Sequence, residues 1–436
     1  MIIKDFFEKL NSEGIDYAVL RGYEELPYDF SNDIDLYVNP GHLDSVIQIF
    51  ESVATLNLCC ICDFNAKFEF LSMTVTENDR AIKFDIWTGF KYHGFEYLSN
   101  WVVEANREKF NGLCVLNRDV ECLLTTSKEI LHTGCLVKRK RDKLIAKVGN
   151  NWQPKALLKH RAHGDYASRL LYEEDCRKVK KLRRLYFTKI IASNISDSVV
   201  STILSCVKFL TNHFKSKRAI SHIAFVGPDG SGKTTFYYEL EKTLSNLKNV
   251  KAIHYYHGRP EIIPELKKFN IFSFVTNRAI SKNVNSECRS AEKSLRSRML
   301  NRIYMLYYLA DYMLFSAIKV KDKFTSSISV FDRYYYDYFI SNPDPRVFDK
   351  ILMFFYKYFT PSPGLVVFLY SPAETIFARK PELTLHQIGD QQSRIILLQK
   401  QNYFERLVTI HTHDPSTVAQ ITRSNKIIKS LIFMAL

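Results

Sequence analysis

Gly227-Pro228-Asp229-Gly230-Ser231-Gly232-Lys233-Thr234-Thr235 matches the spacing G-x-x-x-x-G-K-[ST] at every fixed position and carries a further glycine, Gly230. Its flanks agree with that spacing. Ile223-Ala224-Phe225-Val226 is an apolar run suited to a buried strand, and Thr235 to Leu247 has helix-forming composition with apolar spacing. Strand, loop and helix in this order make a phosphate-binding loop. Glycine lets the backbone turn its N–H groups around a pyrophosphate, Lys233 reaches the β- and γ-phosphates, and Thr234 offers a hydroxyl to Mg²⁺ at a helix N-terminus. The residues expected to hold the phosphates are Gly227, Asp229, Gly230, Ser231, Gly232, Lys233, Thr234 and Thr235.

Further along, Ser327-Ile328-Ser329-Val330-Phe331 reads as a second buried strand and ends in Asp332-Arg333-Tyr334. A carboxylate at the C-terminal edge of such a strand falls beside the phosphate loop, where it orients Mg²⁺ or the attacking oxygen, and Arg333 can clamp a phosphate. The alternative is Asp332 as a helix N-cap with Arg333 solvated. Gly364 to Tyr370 is a third strand, and Ser371-Pro372-Ala373-Glu374 starts a helix carrying Arg379 and Lys380, cations able to close over a transferring phosphoryl group. Apolar strands alternating with helical stretches predict a parallel sheet flanked by helices over residues 219–436.

With these motifs the chain resembles the thymidylate kinase family of P-loop nucleoside monophosphate kinases. The family's loop reads much like residues 227–235, and its Asp-Arg-Tyr motif is matched by Asp332, Arg333 and Tyr334. The resemblance covers about half the chain and implies ATP and Mg²⁺ as cofactors. By that resemblance Lys233 stabilises the transferring phosphoryl, Asp332 serves metal or acceptor, Arg333 holds the acceptor side, and Arg379 is a lid arginine. Two departures bear on the acceptor. An Arg-Glu-Pro-Gly-Gly loop of the family is replaced by His254-Tyr255-Tyr256-His257-Gly258-Arg259-Pro260, which keeps an arginine and a proline, and its Ala-Asp-Arg becomes Ala310-Asp311-Tyr312. ATP as donor therefore carries over better than thymidylate as acceptor. The run Tyr334-Tyr335-Tyr336-Asp337-Tyr338 either stacks on a sugar or base or packs in the interior.

The N-terminal 125 residues read as α/β. Leu20-Arg21-Gly22 is followed after ten residues by Asp33-Ile34-Asp35-Leu36, and strand periodicity turns Asp33 and Asp35 to one face. A third acid, Asp85, lies in the apolar run Ile82-Lys83-Phe84-Asp85-Ile86-Trp87. Together the three are candidate ligands for one or two Mg²⁺ ions. This pattern resembles the polymerase-β-type nucleotidyltransferase superfamily over about the first 90 residues, with Tyr23 where Gly or Ser is usual. The opening Gly14 to Gly22 with Leu26-Pro27 is also similar to uncharacterised nucleotidyltransferase-like proteins that accompany bacterial surface-polysaccharide genes.

Net charge is +15 over 436 residues, and all of the excess is local. Lys138 to Arg218 holds 21 Lys/Arg against 6 Asp/Glu, so the rest of the chain carries 40 of each sign. The segment 126–218 is poor in strand patterns and rich in Leu, Lys, Arg and Ala, and is expected to be a basic helical connector. Its charge suits nucleic acid, an anionic membrane surface or a polyphosphorylated substrate, or simply a solvated face. The nine cysteines are expected to be reduced core thiols, and no histidine pair has a clear third metal ligand. The chain opens with no charged-then-apolar signal and contains no apolar run of membrane-spanning length, so a cytoplasmic protein is expected.

The combined expectation is ATP/Mg²⁺-dependent phosphoryl transfer to a small phosphorylated nucleotide or sugar-type acceptor. An N-terminal nucleotidyltransferase-like domain would accompany it, with surface-polysaccharide precursor synthesis as a setting. The rival is a nucleotide-regulated switch that binds nucleic acid or membrane through the basic segment.

Overall fold

The computed structural model describes residues 2–28, 33–77, 80–154, 161–215, 222–247, 250–264, 302–315, 327–341 and 347–435. They fall into two compact units, Met1–Ser216 with Ser424–Leu436, and Lys217–Arg423. Each combines helices with a sheet, so the α/β expectation holds at the level of class.

The strands of the first unit are β1 (Tyr17–Val19), β2 (Ile34–Val38), β3 (Cys60–Lys67), β4 (Phe70–Glu77), β5 (Arg80–Trp87), β6 (Phe90–Tyr92), β7 (Phe95–Leu98), β8 (Arg107–Phe110) and β9 (Leu113–Leu116). Seven of them form a mixed sheet in the order β3-β4-β5-β2-β1-β9-β8, and β6 pairs with β7 separately. β2 runs parallel to β5 and antiparallel to β1. Being central, it buries all five of its residues, which carries the Asp35 carboxylate into the interior. Helix α1 (Ile2–Ser12) buries Ile2, Ile3, Phe6, Phe7 and Leu10 along one stripe. Phe6 meets Phe84 of β5 at 5.1 Å and Phe50 of α2 (Leu43–Leu56) at 5.7 Å, both edge to face.

After α3 (Asn100–Ala105) come α4 (Arg118–Thr133), α5 (Lys138–Val148), α6 (Arg161–Tyr172), α7 (Cys176–Asp197) and α8 (Val199–Lys215). The segment expected as a connector is helical, but its apolar residues do not stand apart. Leu131, Leu144, Leu170, Leu171, Tyr186 and Ile190 share one core with Ala18, Leu20, Tyr37 and Phe90 of the sheet region. The boundary read near residue 218 lies outside the described residues.

The end of the chain closes the sheet edge at β3. Asn425 is fully buried; its Oδ1 accepts from the Ile61 N–H at 2.9 Å, and its Nδ2 donates to the Cys59 carbonyl at 2.9 Å. Asn425→Ala orphans both groups at about 1–3 kcal/mol each. The urea midpoint of the first unit is expected to fall accordingly.

The second unit holds β10 (His222–Val226), β11 (Ala252–His257), β12 (Ser327–Asp332), β13 (Leu365–Tyr370) and β14 (Leu407–His411). They form a sheet in the order β11-β12-β10-β13-β14, parallel throughout. β10, β12 and β13 are almost wholly buried, as near-continuous apolar runs must be in a parallel sheet covered on both faces. The chain starts at the central strand, builds one side through β11 and β12, and then builds the other through β13 and β14. Connections diverge at β10, so a crevice opens beyond its carboxyl end.

Candidate nucleotide site

The phosphate loop occupies that crevice, between β10 and α9 (Lys233–Ser245). Two glycines are required by geometry. Gly227 has φ +154°, and a Cβ on it would lie 2.8 Å from the Leu369 carbonyl and 2.9 Å from Ser231 Oγ. Gly232, with φ +90°, is the N-cap that turns the chain into α9. Lys233 is 7% exposed, and its Nζ donates to the Gly227 and Pro228 carbonyls at 2.8 and 3.1 Å, with Asp229 Oδ1 at 3.4 Å. Ser231 is fully buried, and its Oγ has no hydrogen-bond partner.

A cleft of about 710 Å³ lies over the loop, lined among others by Thr234, Asp332, Arg333, Arg379 and Arg423. That volume suits a nucleotide. Asp332 is the last residue of β12, and the next helix begins at Tyr336, so Asp332 does not cap it. Asp332 is 3% exposed. Its Oδ2 accepts from the Tyr255 hydroxyl at 2.7 Å and lies 3.4 Å from His257 Nδ1, while its Oδ1 is buried without a hydrogen-bond partner. Tyr255 and His257, alternate residues of β11, stand in the segment that departs from the family loop, but nothing in the sequence shows that they meet Asp332. The orphaned Oδ1 and the exposed Thr234 in the same cleft fit a phosphate-bound Mg²⁺.

Arg333 follows at φ +69°, a left-handed conformation that turns the chain as it leaves the strand. Its guanidinium pairs with Asp229 of the loop. Burial works against the charged form of Asp229, but Lys233 and Arg333 outweigh it and hold the carboxyl below its usual range. Arg379 donates from Nη2 to the Thr412 carbonyl at 3.3 Å, and Lys380 Nζ is 4.0 Å from Asp229 Oδ2. The opposite wall is fixed by Arg423, which pairs bidentately with Glu239 of α9 at 3.1 and 2.9 Å.

The two motif departures meet each other. Arg259 donates to Asp311 at 3.1 Å, both buried, and Asp311 also accepts from the backbone N–H groups of Glu261 and Ile263. Tyr312 donates its hydroxyl to the Gly258 carbonyl at 2.6 Å. These side chains fold the 258–263 loop onto the helix of residues 302–315. Of the tyrosine run, Tyr334, Tyr335 and Tyr336 are buried among Tyr312, Tyr356 and Phe404, which is interior packing.

Asp337 belongs to the same neighbourhood, with Oδ2 4.0 Å from Arg333 Nε and Oδ1 buried without a hydrogen-bond partner. Burial pushes its carboxyl up to about 7, against Lys233 and Arg333 and with Asp332 and Asp229 adding to the rise. The folded state keeps a proton that the unfolded chain releases near pH 4. This carboxyl therefore removes stability from the second unit as pH rises from about 4 to about 7, by at most about 1.4 kcal/mol per pH unit. The 22% of the side chain still exposed holds the slope below that ceiling. Asp337→Asn is expected to flatten it in urea midpoints taken across pH 4 to 8.

In the first unit Asp35 and Asp85 are register partners on β2 and β5, with Asp33 two residues ahead of Asp35. The three carboxylates do come together, but each meets a protein cation. Arg21 Nε donates to Asp35 Oδ2 at 2.6 Å and Lys128 Nζ to Asp35 Oδ1 at 3.3 Å. Lys83 Nζ donates to Asp33 Oδ2 at 2.7 Å and Asp85 Oδ2 at 3.0 Å. Burial disfavours charge on Asp35, but Lys128 and Arg21 outweigh it and hold the carboxyl below its usual range. Lys128 sits 4.2 Å over the Trp87 ring, and its burial holds the ammonium below its ordinary value despite Asp35. Among the described residues no group of three or more His, Cys, Asp or Glu is placed to hold a metal ion. An ion-pair network stands where a ligand set of Asp33, Asp35 and Asp85 is expected.

The basic segment is partly neutralised by acids of the same unit. Lys140 pairs with Glu129, Arg141 with Glu174, and Lys147 with Glu121 and Glu24. Arg177, Lys178, Lys180, Lys181 and Arg184 of α7 are exposed. Cys59, Cys114, Cys122, Cys135 and Cys206 are free thiols, and among the described residues no single helix is long and apolar enough to cross a membrane.

No family model and no curated protein matches the chain. Among solved structures it is similar to a thymidylate kinase from Ehrlichia chaffeensis, at 15% identity over 46% of this chain and 94% of that one, with a TM-score of 0.29. A TM-score of that size carries no argument about activity.

Proposed function

We propose that the second unit transfers the γ-phosphoryl group of ATP, as its Mg²⁺ complex, to a small phosphorylated nucleotide or sugar-type acceptor. The observation that carries this reading is the buried, half-satisfied carboxylate of Asp332 in the same cleft as the loop lysine. Loop N–H groups and the α9 N-terminus hold the phosphates, and Lys233 moves from its own loop carbonyls to the β,γ-bridge region. Asp332 serves the metal or orients the attacking oxygen, with Tyr255 fixing the carboxylate. Arg379 is near enough to the cleft to meet charge developing on the transferred group. Mg²⁺, held with the phosphates by Thr234 and Asp332, would supply charge neutralisation there.

The test is ADP formation with Mg²⁺ across a panel of nucleosides, nucleotides, sugars and sugar phosphates, with pyrophosphate followed in parallel. Acceptor-dependent ADP supports the proposal, whereas ATP turnover indifferent to every acceptor argues against it. A second reading, contact with an anionic partner, is supported by the exposed cations of α7 and an adjoining cleft of about 480 Å³ that Arg169, Lys178 and Lys181 help to line. Steep salt dependence of RNA or anionic-vesicle binding would favour it.

A further inference from the structure

We infer that the carboxylate centre of the first unit is closed to divalent metal, with the Lys83 ammonium in the place a metal would take, so that this unit performs no two-metal nucleotidyl transfer. The cation is built in by the strand. Lys83 and Asp85 are alternate residues of β5 and share a face, and Lys83 Nζ bridges Asp33 and Asp85 at 2.7 and 3.0 Å. Bridging acids on neighbouring strands is the task a catalytic divalent ion performs in such sites.

The charges also close. Asp33, Asp35, Asp85 and Glu129 face Arg21, Lys83, Lys128 and Lys140, and Glu129 Oε1 lies 2.6 Å from Lys140 Nζ and 3.9 Å from Arg21 Nη1. Four carboxylates against four cations leave no surplus negative charge to attract a doubly charged ion, and bringing one in means placing it against three ammonium or guanidinium groups. Donor atoms are short as well. Both oxygens of Asp35 and one each of Asp33 and Asp85 already accept from cations, which leaves the buried Asp85 Oδ1 and the second oxygen of half-exposed Asp33. Two oxygens on different residues suit a water or a ligand hydroxyl; they are too few for a pair of six-coordinate ions.

The experiment titrates the nucleotide-free 436-residue chain with Mn²⁺ and follows the loss of the free-ion EPR signal, comparing wild type, Asp33→Asn, Lys83→Met and the double variant. Asp33 is half exposed, so Asp33→Asn leaves the fold intact. Wild type and Asp33→Asn are expected to give the same isotherm, since any Mn²⁺ taken up by the second unit is common to both. Lys83→Met is expected to add one equivalent bound at least tenfold more tightly, lost again in the double variant. A wild-type equivalent that disappears in Asp33→Asn overturns the inference. So does a Lys83→Met protein that keeps its circular dichroism spectrum and gains no metal. Were Lys83→Met to misfold, the comparison of wild type with Asp33→Asn would still decide.

Discussion

Lys233→Ala is expected to lower kcat for ATP-dependent phosphoryl transfer by about two to three orders of magnitude, the usual loss when one preorganised donor is removed from developing charge. Lys233 is 7% exposed, and its ammonium is held over the loop by two loop carbonyls and Asp229. Its root is fixed at the start of α9, and Arg333 and Lys380 next to it are tied to Asp229. Asp229 keeps Arg333 as a partner, and the loop backbone is set by Gly227 and Gly232, so the thermal midpoint should move by only a few degrees. A large loss of turnover with a small loss of stability separates a chemical role from a structural one. Lys233→Arg is not expected to restore activity, because a planar guanidinium does not fit a slot shaped for a compact ammonium. Steady-state ADP release at saturating ATP reads both variants.

Asp332→Asn should cost about 10²–10⁴-fold in kcat, the range for loss of a positioned acid–base group. The substitution keeps the side chain's shape and an oxygen for the Tyr255 hydroxyl, but removes the negative charge. Had Asp332 been a helix cap, asparagine would serve equally well and nothing would change. The helix that starts four residues later makes the cap reading untenable. Tyr255→Phe, which frees Asp332 Oδ2 without removing charge, is expected to have a smaller effect in the same assay.

Much of the second unit is legible in the sequence because its information is local. The glycine pattern, the apolar strands and the strand-end position of Asp332 all lie within short windows, and hydrophobic runs of that kind specify buried parallel strands. What sequence windows cannot supply is the company each residue keeps. Tyr255 lies 77 residues from Asp332, and Arg259 lies 52 from Asp311. Sheet order alone brings the first pair together, and a helix packed on a loop brings the second. The three acids of the first unit teach the opposite lesson. Lys83 stands two residues before Asp85 on the same strand, so strand periodicity already puts a cation on the acidic face. Arg21 and Lys128 are less accessible to such reasoning, since one comes from the end of β1 and the other from α4. The packing of the helical segment after residue 125 against the sheet is hidden for a related reason. Its lysines and arginines dominate the composition, while the fewer Leu, Ile and Tyr residues at helical spacing decide where it packs.

The most direct measurement is the fate of label from γ-³²P-ATP with Mg²⁺ and the best acceptor of the panel, in wild type and Lys233→Ala. Label on the acceptor in stoichiometric balance with ADP is expected for wild type, and a loss of at least about a hundredfold for Lys233→Ala. Label released only as inorganic phosphate, or acceptor labelling that survives Lys233→Ala, would contradict the assignment of the second unit as a phosphoryl transferase.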